Sequence, residues 1–543
     1  MHPSNARTVA DLATLLGVPA PPGADVPLFG VTLDSRRVTA GDLYAALPGA
    51  ATHGARFGAQ AADAGAVAVL TDPEGERLLG EAGVRLPALV VPDPRAVLGR
   101  VSATVYRDPA TKLTMYGITG TNGKTTTAHL LHTALNGGQK AGLIGTVGVL
   151  VGDDPVPSAR TTPEAPDVQR LLATMYTHAL DSCVMEVSSH ALVLGRVDGI
   201  VFDVVGFTNL SQDHLDFHPT MEDYFAAKAT LFTPERAQRG VVCVDDEWGR
   251  RLAAEARVPV TTLTTDPVLD ADWRAVDIQP EGERTRFTLV APDGREVEAV
   301  VPLPGDFNVA NMALALVMGD LTGHELGVAA TSIFSRGRVP GRMEPVTSAR
   351  PEIERWGYAD RWQPYRGEPT AVVDYAHTPD AVAKALEALA PGARGPLVVV
   401  LGAGGDRDRG KRPGMGAAAA AHADVVIVTD DNPRSEDPAA IRAAVLAGAR
   451  QLPAPRASVV LEIGDRAAAI LEGVRRAWGG SGPPGTLLVA GKGHESGQEV
   501  AGAVHPFDDR SQLGEALVAV GTEVGTVTGG APRRGAGQQE ARE

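Results

Sequence analysis

One segment limits the possible folds of this chain more than any other. Residues 113–135 read LTMYGITGTNGKTTTAHLLHTAL. An apolar run leads into a Gly-rich turn, and apolar residues at helical spacing follow. Glycines let backbone N–H groups close around phosphate oxygens, and a following helix N-terminus favours anions. In such a turn Lys124 reaches the β- and γ-phosphates of a nucleotide, and the Thr125 hydroxyl ligates Mg²⁺. The strict G-x-x-x-x-G-K-[ST] pattern fails because position 118 is Ile, but the strand–turn–helix setting supports a nucleotide loop. Its candidate residues are Gly120, Thr121, Asn122, Gly123, Lys124, Thr125 and Thr126. The chain must then contain an α/β unit with a mainly parallel sheet.

The rest of the sequence extends that pattern. SCVMEVSS and IVFDVVGFTNLS are strand candidates that end in polar residues, as are TAVVDYAHTP, GPLVVVLGAGG, ADVVIVTDDNPR and GTLLVAGKGHE. AGLIGTVGVLV is a further strand candidate, and GDFNVANMALALVMG reads as a helix. Open parallel sheets bind ligands beyond the carboxyl ends of their strands, so the third-domain clusters point to one site. A chain of 543 residues exceeds a single core and suggests two to four domains of ~150 residues. We expect an α/β protein of three domains. They are a small N-terminal α/β domain at 1–108, a central loop-bearing domain at 109–342, and a C-terminal Rossmann-like domain at 343–521. A disordered tail is expected at 522–543, which is rich in Gly, Arg, Gln and Glu.

Composition removes several function classes. The net charge of -16 speaks against nucleic acid as a partner. The two cysteines, Cys183 and Cys243, sit in apolar runs and read as buried thiols without disulfide or metal spacing. No signal peptide is visible at the N-terminus, and no stretch reaches the ~18 apolar residues of a membrane span. A cytoplasmic protein without membrane insertion is expected.

Several polar clusters sit where chemistry is possible. Glu186 ends an apolar strand and is a candidate Mg²⁺ ligand; alternatively it caps the helix that follows. Asp213 and His214 lie in a tight segment after another strand, which taken alone fits loop hydrogen bonding equally well. Lys228 falls on a helix, where physics alone reads it as a solvated side chain. Asp374 and His377 precede a helix that starts with Pro. The turns around Arg407, Asp431-Asn432-Pro433-Arg434 and Gly491 to Glu495 are weak signals one by one.

Together these motifs resemble the Mur ligase family, in the family's order, from Asp34 to Arg510. The segments that carry the resemblance are GTNGKTTT, MEVSSHAL, FTNLSQDHLDFH, VPGRME, VDYAHTP, GGDRDRGKRP, DNPR and GKGHE. Within the family the chain is similar to ligases that add a third residue to UDP-N-acetylmuramoyl-dipeptide. The resemblance implies a UDP-binding, an ATPase and an amino-acid-binding domain. It implies that Ser35 faces UDP and that Thr161, Thr162, Ser188 and Arg196 hold the muramoyl-dipeptide. Thr125 and Glu186 resemble one Mg²⁺ site; His214 and Lys228 resemble a second, where the family's lysine is carbamylated. Lys124, Glu186, His214 and Lys228 are thus the candidate catalytic set. Asn308 and Asn311 resemble adenine contacts, and Arg342, Asp374 and His377 resemble residues that grip ATP. Arg407, Asp431, Asn432, Pro433, Arg434, Gly491 and Glu495 match the site of the incoming diamino acid.

The implied reaction is ATP-dependent peptide ligation in peptidoglycan precursor synthesis, with meso-diaminopimelate as the expected amino acid. The alternatives are L-ornithine or L-lysine in the same reaction, a folylpolyglutamate-type ligase, or a nucleotide-binding regulator without catalysis. A monomer is expected. The chain departs from the family at three places. The stretch 345–370 is long and holds two tryptophans, which suggests a surface insertion. Ser-Gly-Gln follows Glu495 where Tyr-Gln is usual. Leu194 stands where a polar substrate contact is common.

Overall fold

The computed structural model describes residues 6–527, apart from 50, 139, 157–159, 216, 283, 349–364, 366 and 479–481. Near the N-terminus Arg7–Thr8 (β1) pairs antiparallel with Pro27–Leu28 (β2). Four parallel strands follow as one small sheet: Gly30–Thr32 (β3), Asp42–Ala45 (β4), Ala68–Thr71 (β5) and Ala88–Val90 (β6).

The second sheet has eleven strands among the described residues. Thr114–Thr119 (β7), Ala141–Gly145 (β8), Gly148–Val151 (β9), Asp154–Val156 (β10), Ser182–Glu186 (β11) and Phe202–Phe207 (β12) form one half. Ala237–Cys243 (β13), Val260–Thr264 (β14), Trp273–Glu281 (β15), Arg284–Val290 (β16) and Glu296–Val301 (β17) form the other. The order is β10-β9-β8-β11-β7-β12-β13-β14-β15-β16-β17. β7 lies between β11 and β12, parallel to both. All three are apolar runs, and β7 and β11 are almost wholly buried, as expected of central parallel strands. Register decides what this does for function. Glu186 pairs with Ile118, and Phe207 with Thr119, so three strands end flush around the loop that follows β7.

The third sheet collects Glu344–Val346 (β18), Thr370–Asp374 (β19), Leu397–Leu401 (β20), Val425–Val428 (β21), Val459–Glu462 (β22) and Thr486–Ala490 (β23). Its order is β18-β19-β23-β20-β21-β22, parallel except for β18. Asp374 and Leu401 both pair with Ala490, so these ends are flush as well. A hairpin, Gly497–Val500 (β24) and Ala503–Pro506 (β25), follows.

Three features differ from the sequence reading. AGLIGTVGVLV is not one strand: it breaks after Gly145 into the antiparallel pair β8 and β9. β15, β16 and β17 extend the central sheet with an antiparallel edge that no polar strand-end motif announces. The tail expected to be disordered from Thr522 is helical as far as Val527, because Asp509–Val527 forms one helix. Leu513, Leu517 and Val520 of that helix are buried in the third sheet's core. Residues 528–543 lie outside the described residues. So does most of the 345–370 stretch with its two tryptophans. Its described ends are tied together, since Ser348 N–H and Oγ donate to Glu368. Both cysteines are buried. Among the described residues no helix is long and apolar enough to cross a membrane.

Behind the third sheet's strand ends sits an ion pair with both side chains at 0% exposure, Arg466 with Asp509. Arg466 Nε and Nη2 donate to the two Asp509 oxygens at 2.7 and 2.6 Å. The same guanidinium donates to the carbonyls of Ala490 and Asp430. It thus ties the last helix to the ends of two strands. Asp509→Ala leaves a dry, unpaired guanidinium, and urea unfolding should show a loss of about 3–5 kcal/mol. An unchanged unfolding midpoint would contradict this clamp.

Candidate active site

The loop after β7 needs its glycines. Gly120 has φ +137° and Gly123 φ +88°. A β-carbon would come 1.9 Å from Thr208 Oγ1 at the first and 2.2 Å from Asn311 Oδ1 at the second. The loop is stitched to the end of β12: Thr121 N–H donates to the Asn209 carbonyl at 2.8 Å, and Asn122 N–H to Asn209 Oδ1 at 3.0 Å. Lys124 begins the helix Lys124–Leu135 and folds back over the loop. Its Nζ donates to the carbonyls of Gly120 and Thr121. Burial lowers its pKa, against the pull of Glu186 and Asp213.

Glu186, at the end of β11, is fully buried and organises this region. Its carboxylate accepts from Thr125 Oγ1 at 2.9 Å, Thr146 N–H at 2.8 Å and Thr146 Oγ1 at 3.0 Å. Its main-chain carbonyl accepts from Thr162 Oγ1 at 2.8 Å. Thr146 Oγ1 also bonds Thr161 Oγ1 at 3.0 Å, and Arg196 donates to the Thr162 carbonyl. Arg342 reaches in from the segment before the third sheet, donating through Nη2 to Thr125 Oγ1 at 3.1 Å. A hydroxyl beside a carboxylate is the hard-oxygen chemistry that suits Mg²⁺, an ion that typically takes one or two protein groups and completes its shell with phosphate and water. Among the described residues no group of three or more His, Cys, Asp and Glu is close enough to form a metal cage.

Lys228 is not the solvated side chain that its helix position suggests. It is 1% exposed, its Nζ donates to the Gly120 carbonyl at 2.7 Å, and it lies 4.5 Å from the Tyr224 ring centre. Burial, reinforced by the Lys124 charge, holds its pKa well below the ordinary lysine value. Asp213 stands between two imidazoles, with His214 Nε2 at 3.5 Å and His377 Nε2 at 3.9 Å. Burial opposes its ionisation, but the two histidines and Lys411 hold its pKa at about 2. Burial drives His214 down to about 4. Asn311 Nδ2 donates to Asn308 Oδ1, and Asn308 Nδ2 to the Pro304 carbonyl, which aligns both amides on one helix turn.

The third sheet closes the opposite wall. Asp374 accepts from the N–H groups of Met343 and Ala376, both at 2.7 Å. Arg342 lies over the Tyr375 ring, 4.5 Å from its centre. Beyond β21 and β23, Lys492 is completely buried and donates to Asn432 Oδ1 at 3.1 Å and Glu495 Oε2 at 3.3 Å. Asn432 Nδ2 donates to Glu495 at 2.7 Å.

These walls enclose a cavity of about 1060 Å³. Every site residue expected from the sequence lines it except Gly120, Glu186, Pro433 and Ser35. The first two lie directly behind lining residues. Ser35 lines a second cavity of about 830 Å³ against the N-terminal sheet, where its Oγ donates to Gln60 Oε1 at 2.9 Å. Arg160 lines both cavities. Sequence reasoning singled out the segments that hold Lys492 and Tyr375, GKGHE and VDYAHTP, without assigning either residue a role. It passed over Thr146, which was hidden in an apparent strand.

Three family models match separate stretches of the chain. Residues 28–106 match the Mur ligase family description "catalytic domain", 118–319 the "Mur ligase middle domain", and 360–493 the "glutamate ligase domain". A curated relative from Streptomyces coelicolor is 52% identical over 513 residues, covering 94% of this chain and 97% of its own. It is named UDP-N-acetylmuramoyl-L-alanyl-D-glutamate–2,6-diaminopimelate ligase. A solved structure of a ligase of that name superposes with TM-score 0.62 at 30% identity, covering 95% of this chain and 99% of its own. The MurF ligase of Thermotoga maritima, solved with ADP, has TM-score 0.60 at 17% identity, covering 91% and 98%, and shares the fold.

Two histidines shielded from water give the fold an acid limit. Burial pushes His129 and His494 from the ordinary value of 6.5 down to about 3. Between these values the unfolded chain binds protons that the folded chain refuses, so stability falls as pH drops from 6.5 towards 3. Each histidine contributes a slope of up to about 1.4 kcal/mol per pH unit. Urea titrations at stepped pH should show this slope, and His129→Gln should flatten it; an identical slope in the variant would contradict the assignment.

Proposed function

Because the chain belongs to the Mur ligase family, we propose that it joins meso-diaminopimelate to UDP-N-acetylmuramoyl-L-alanyl-D-glutamate, with ATP converted to ADP and phosphate. One observation carries the reading. A single cavity brings together the loop Gly123–Thr126, the group Thr161, Thr162, Ser188 and Arg196, and the group Arg407, Asn432, Arg434 and Glu495. These are places for ATP, for the dipeptide and for the diamino acid. The adjoining cavity at Ser35 takes the uridine end, and 1–108, 109–342 and 343–521 act as the UDP-binding, ATPase and amino-acid-binding domains. All groups come from one chain, which suits a monomer, and both nucleotide substrates belong to the cytoplasm.

The residues suit an acyl-phosphate route. Thr161, Thr162, Ser188 and Arg196 hold the dipeptide so that its terminal carboxylate faces the γ-phosphate. The carboxylate attacks phosphorus and ADP leaves. Lys124 and the loop N–H groups offset the charge gathering on the phosphoryl oxygens. Asn308 and Asn311 take the adenine, while Arg342, Asp374 and His377 hold the nucleotide from the third sheet's side. The amine of the diamino acid then attacks the acyl carbon, and phosphate departs as the amide forms. Asp431 and Glu495 steer that amine. Well-oriented reactants gain the equivalent of ~7–11 kcal/mol, and the walls keep water from the acyl phosphate. Thr125 with Glu186, and His214 with Lys228, are the groups that would hold Mg²⁺, whose charge supports phosphoryl transfer.

Lys228 is suited to carbamylation. A neutral amine adds CO₂ and releases a proton, which gives a carbamate oxygen ligand; a buried lysine with a lowered pKa supplies that amine. Arg434 supports meso-diaminopimelate over lysine or ornithine, because its guanidinium pairs with a far carboxylate and repels a bare ammonium.

Three outcomes test the proposal. Lys124→Ala should cut phosphate release by at least about 10²-fold while UDP-dipeptide binding, read by calorimetry, stays intact; loss of both would contradict the placing of the uridine end in the separate cavity at Ser35. Lys228→Ala should lose most activity without rescue by high bicarbonate, and normal turnover would refute its role. Offered meso-diaminopimelate, L-ornithine and L-lysine side by side, the enzyme should use the first, and a preference for either of the others would overturn the substrate assignment.

A further inference from the structure

We propose that Glu499, on β24, is a positioning residue that aims Arg434 at the far carboxylate of the incoming diamino acid and so sets the specificity of this site. The inference rests on the reading of Arg434 given above.

The starting point is the departure after Glu495. Ser496-Gly497 leads into the hairpin β24–β25, which lies along Asp431–Arg434. Four bonds fasten the two segments. Gln498 Nε2 donates to the Asp431 carbonyl at 2.7 Å, and Glu499 N–H to Asn432 Oδ1 at 2.9 Å. Arg434 N–H donates to the Glu499 carbonyl at 3.0 Å, and Ala501 N–H to the Arg434 carbonyl at 2.7 Å. Arg434 itself has φ +52°, a left-handed conformation that a residue with a β-carbon adopts when its surroundings hold it there. The hairpin bonds on both sides of Arg434 supply that hold.

The side chains continue the arrangement. Arg434 Nε lies 3.4 Å from Glu499 Oε2, and its Nη1 donates to the Gly405 carbonyl at 2.6 Å. Among the described residues Nη2 donates to no partner. A guanidinium presents five N–H groups in one plane. The Gly405 carbonyl accepts one of them and Glu499 pairs with the Nε edge as an ion at 3.4 Å, so Nη2 with the second Nη1 hydrogen remains. That pair is the fork through which arginine takes a carboxylate by two parallel hydrogen bonds. Arg434 lines the cavity and Glu499 does not, so Glu499 braces the guanidinium from behind. Asp406, on a facing turn, also feels the Arg434 charge. Without Glu499 the long side chain loses the anion at its Nε edge and is held only through Nη1 at the Gly405 carbonyl, so its aim relaxes.

A competing effect has the opposite sign. Glu499 is an anion near an anion-binding fork, so its removal could also ease binding of a carboxylate. Bracing and repulsion therefore predict opposite changes in KM.

The test uses the full chain with saturating ATP and UDP-dipeptide, and begins with wild type on meso-diaminopimelate and L-lysine. Glu499→Ala should raise KM for meso-diaminopimelate about threefold to tenfold, in the range of a partly exposed ion pair that also orients a group. The kcat and the KM for ATP should stay unchanged, and discrimination against L-lysine should fall by a similar factor. Glu499→Gln, which keeps the shape and one acceptor oxygen, should recover part of the loss. In an Arg434→Ala background the Glu499→Ala change should have no further effect. An unchanged or lowered KM, or a full effect persisting without Arg434, overturns the proposal. Should Glu499→Ala fail to fold, the KM of Glu499→Gln decides by the same signs. Wild type that rejects meso-diaminopimelate overturns the substrate reading and this inference together; wild type that accepts it, with variants that do not respond, overturns this inference alone.

Discussion

A carboxylate that is fully buried must find donors, and the way Glu186 finds them shapes the centre of this protein. Each donor comes from a different piece of chain. Thr125 opens the helix after the phosphate loop, Thr146 sits in the turn between β8 and β9, and Thr162 binds the Glu186 carbonyl from the segment before the next helix. Leaving such a group unpaired costs several kcal/mol, so the three pieces are held in one geometry. The loop and the turn are therefore fixed relative to one another by satisfying one side chain, and the same residue's carbonyl adds the segment 160–162. The flush register of β11, β7 and β12 makes this possible, because it brings Glu186 level with the loop.

A second constraint links the sheets. Arg342 and Asp374 form a bridge in which Arg342 touches Thr125, at the start of the helix that follows β7, while Asp374 holds the N–H of the neighbouring Met343. Asn122 in the phosphate loop donates to Asp380 at the start of the helix Pro379–Leu389. Both links pass through residues that face the cavity. A nucleotide there would touch the groups that join the two sheets, which gives a physical reason for phosphoryl chemistry and sheet closure to be coupled.

Much of this was legible in the sequence, and the reason is local. The apolar runs ending in Gly, Asp, His or Arg are β7, β11, β12, β19, β20, β21 and β23, and their polar ends meet because parallel strands point their carboxyl ends the same way. What escaped the reading lacks that signal. β15 to β17 form an antiparallel edge with alternating exposure and carry no site residues. The break between β8 and β9 falls at Thr146, a residue whose importance comes from Glu186, forty positions away. The burial of Lys228 follows from its tertiary contact with the Gly120 carbonyl of the phosphate loop, which helical spacing does not reveal. The helix running to Val527 was hidden because its Gly and Thr content reads as tail, whereas Leu513, Leu517 and Val520 anchor it.

The central claim is that this cavity couples ATP to amide formation by activating a carboxylate on phosphorus. The most direct measurement is an oxygen transfer. UDP-dipeptide labelled with ¹⁸O in its terminal carboxylate is turned over with ATP and meso-diaminopimelate, and the released phosphate is analysed by mass. An acyl phosphate requires one labelled oxygen to leave in each phosphate while the other stays in the new amide. Phosphate released without label, alongside normal product, would contradict the account.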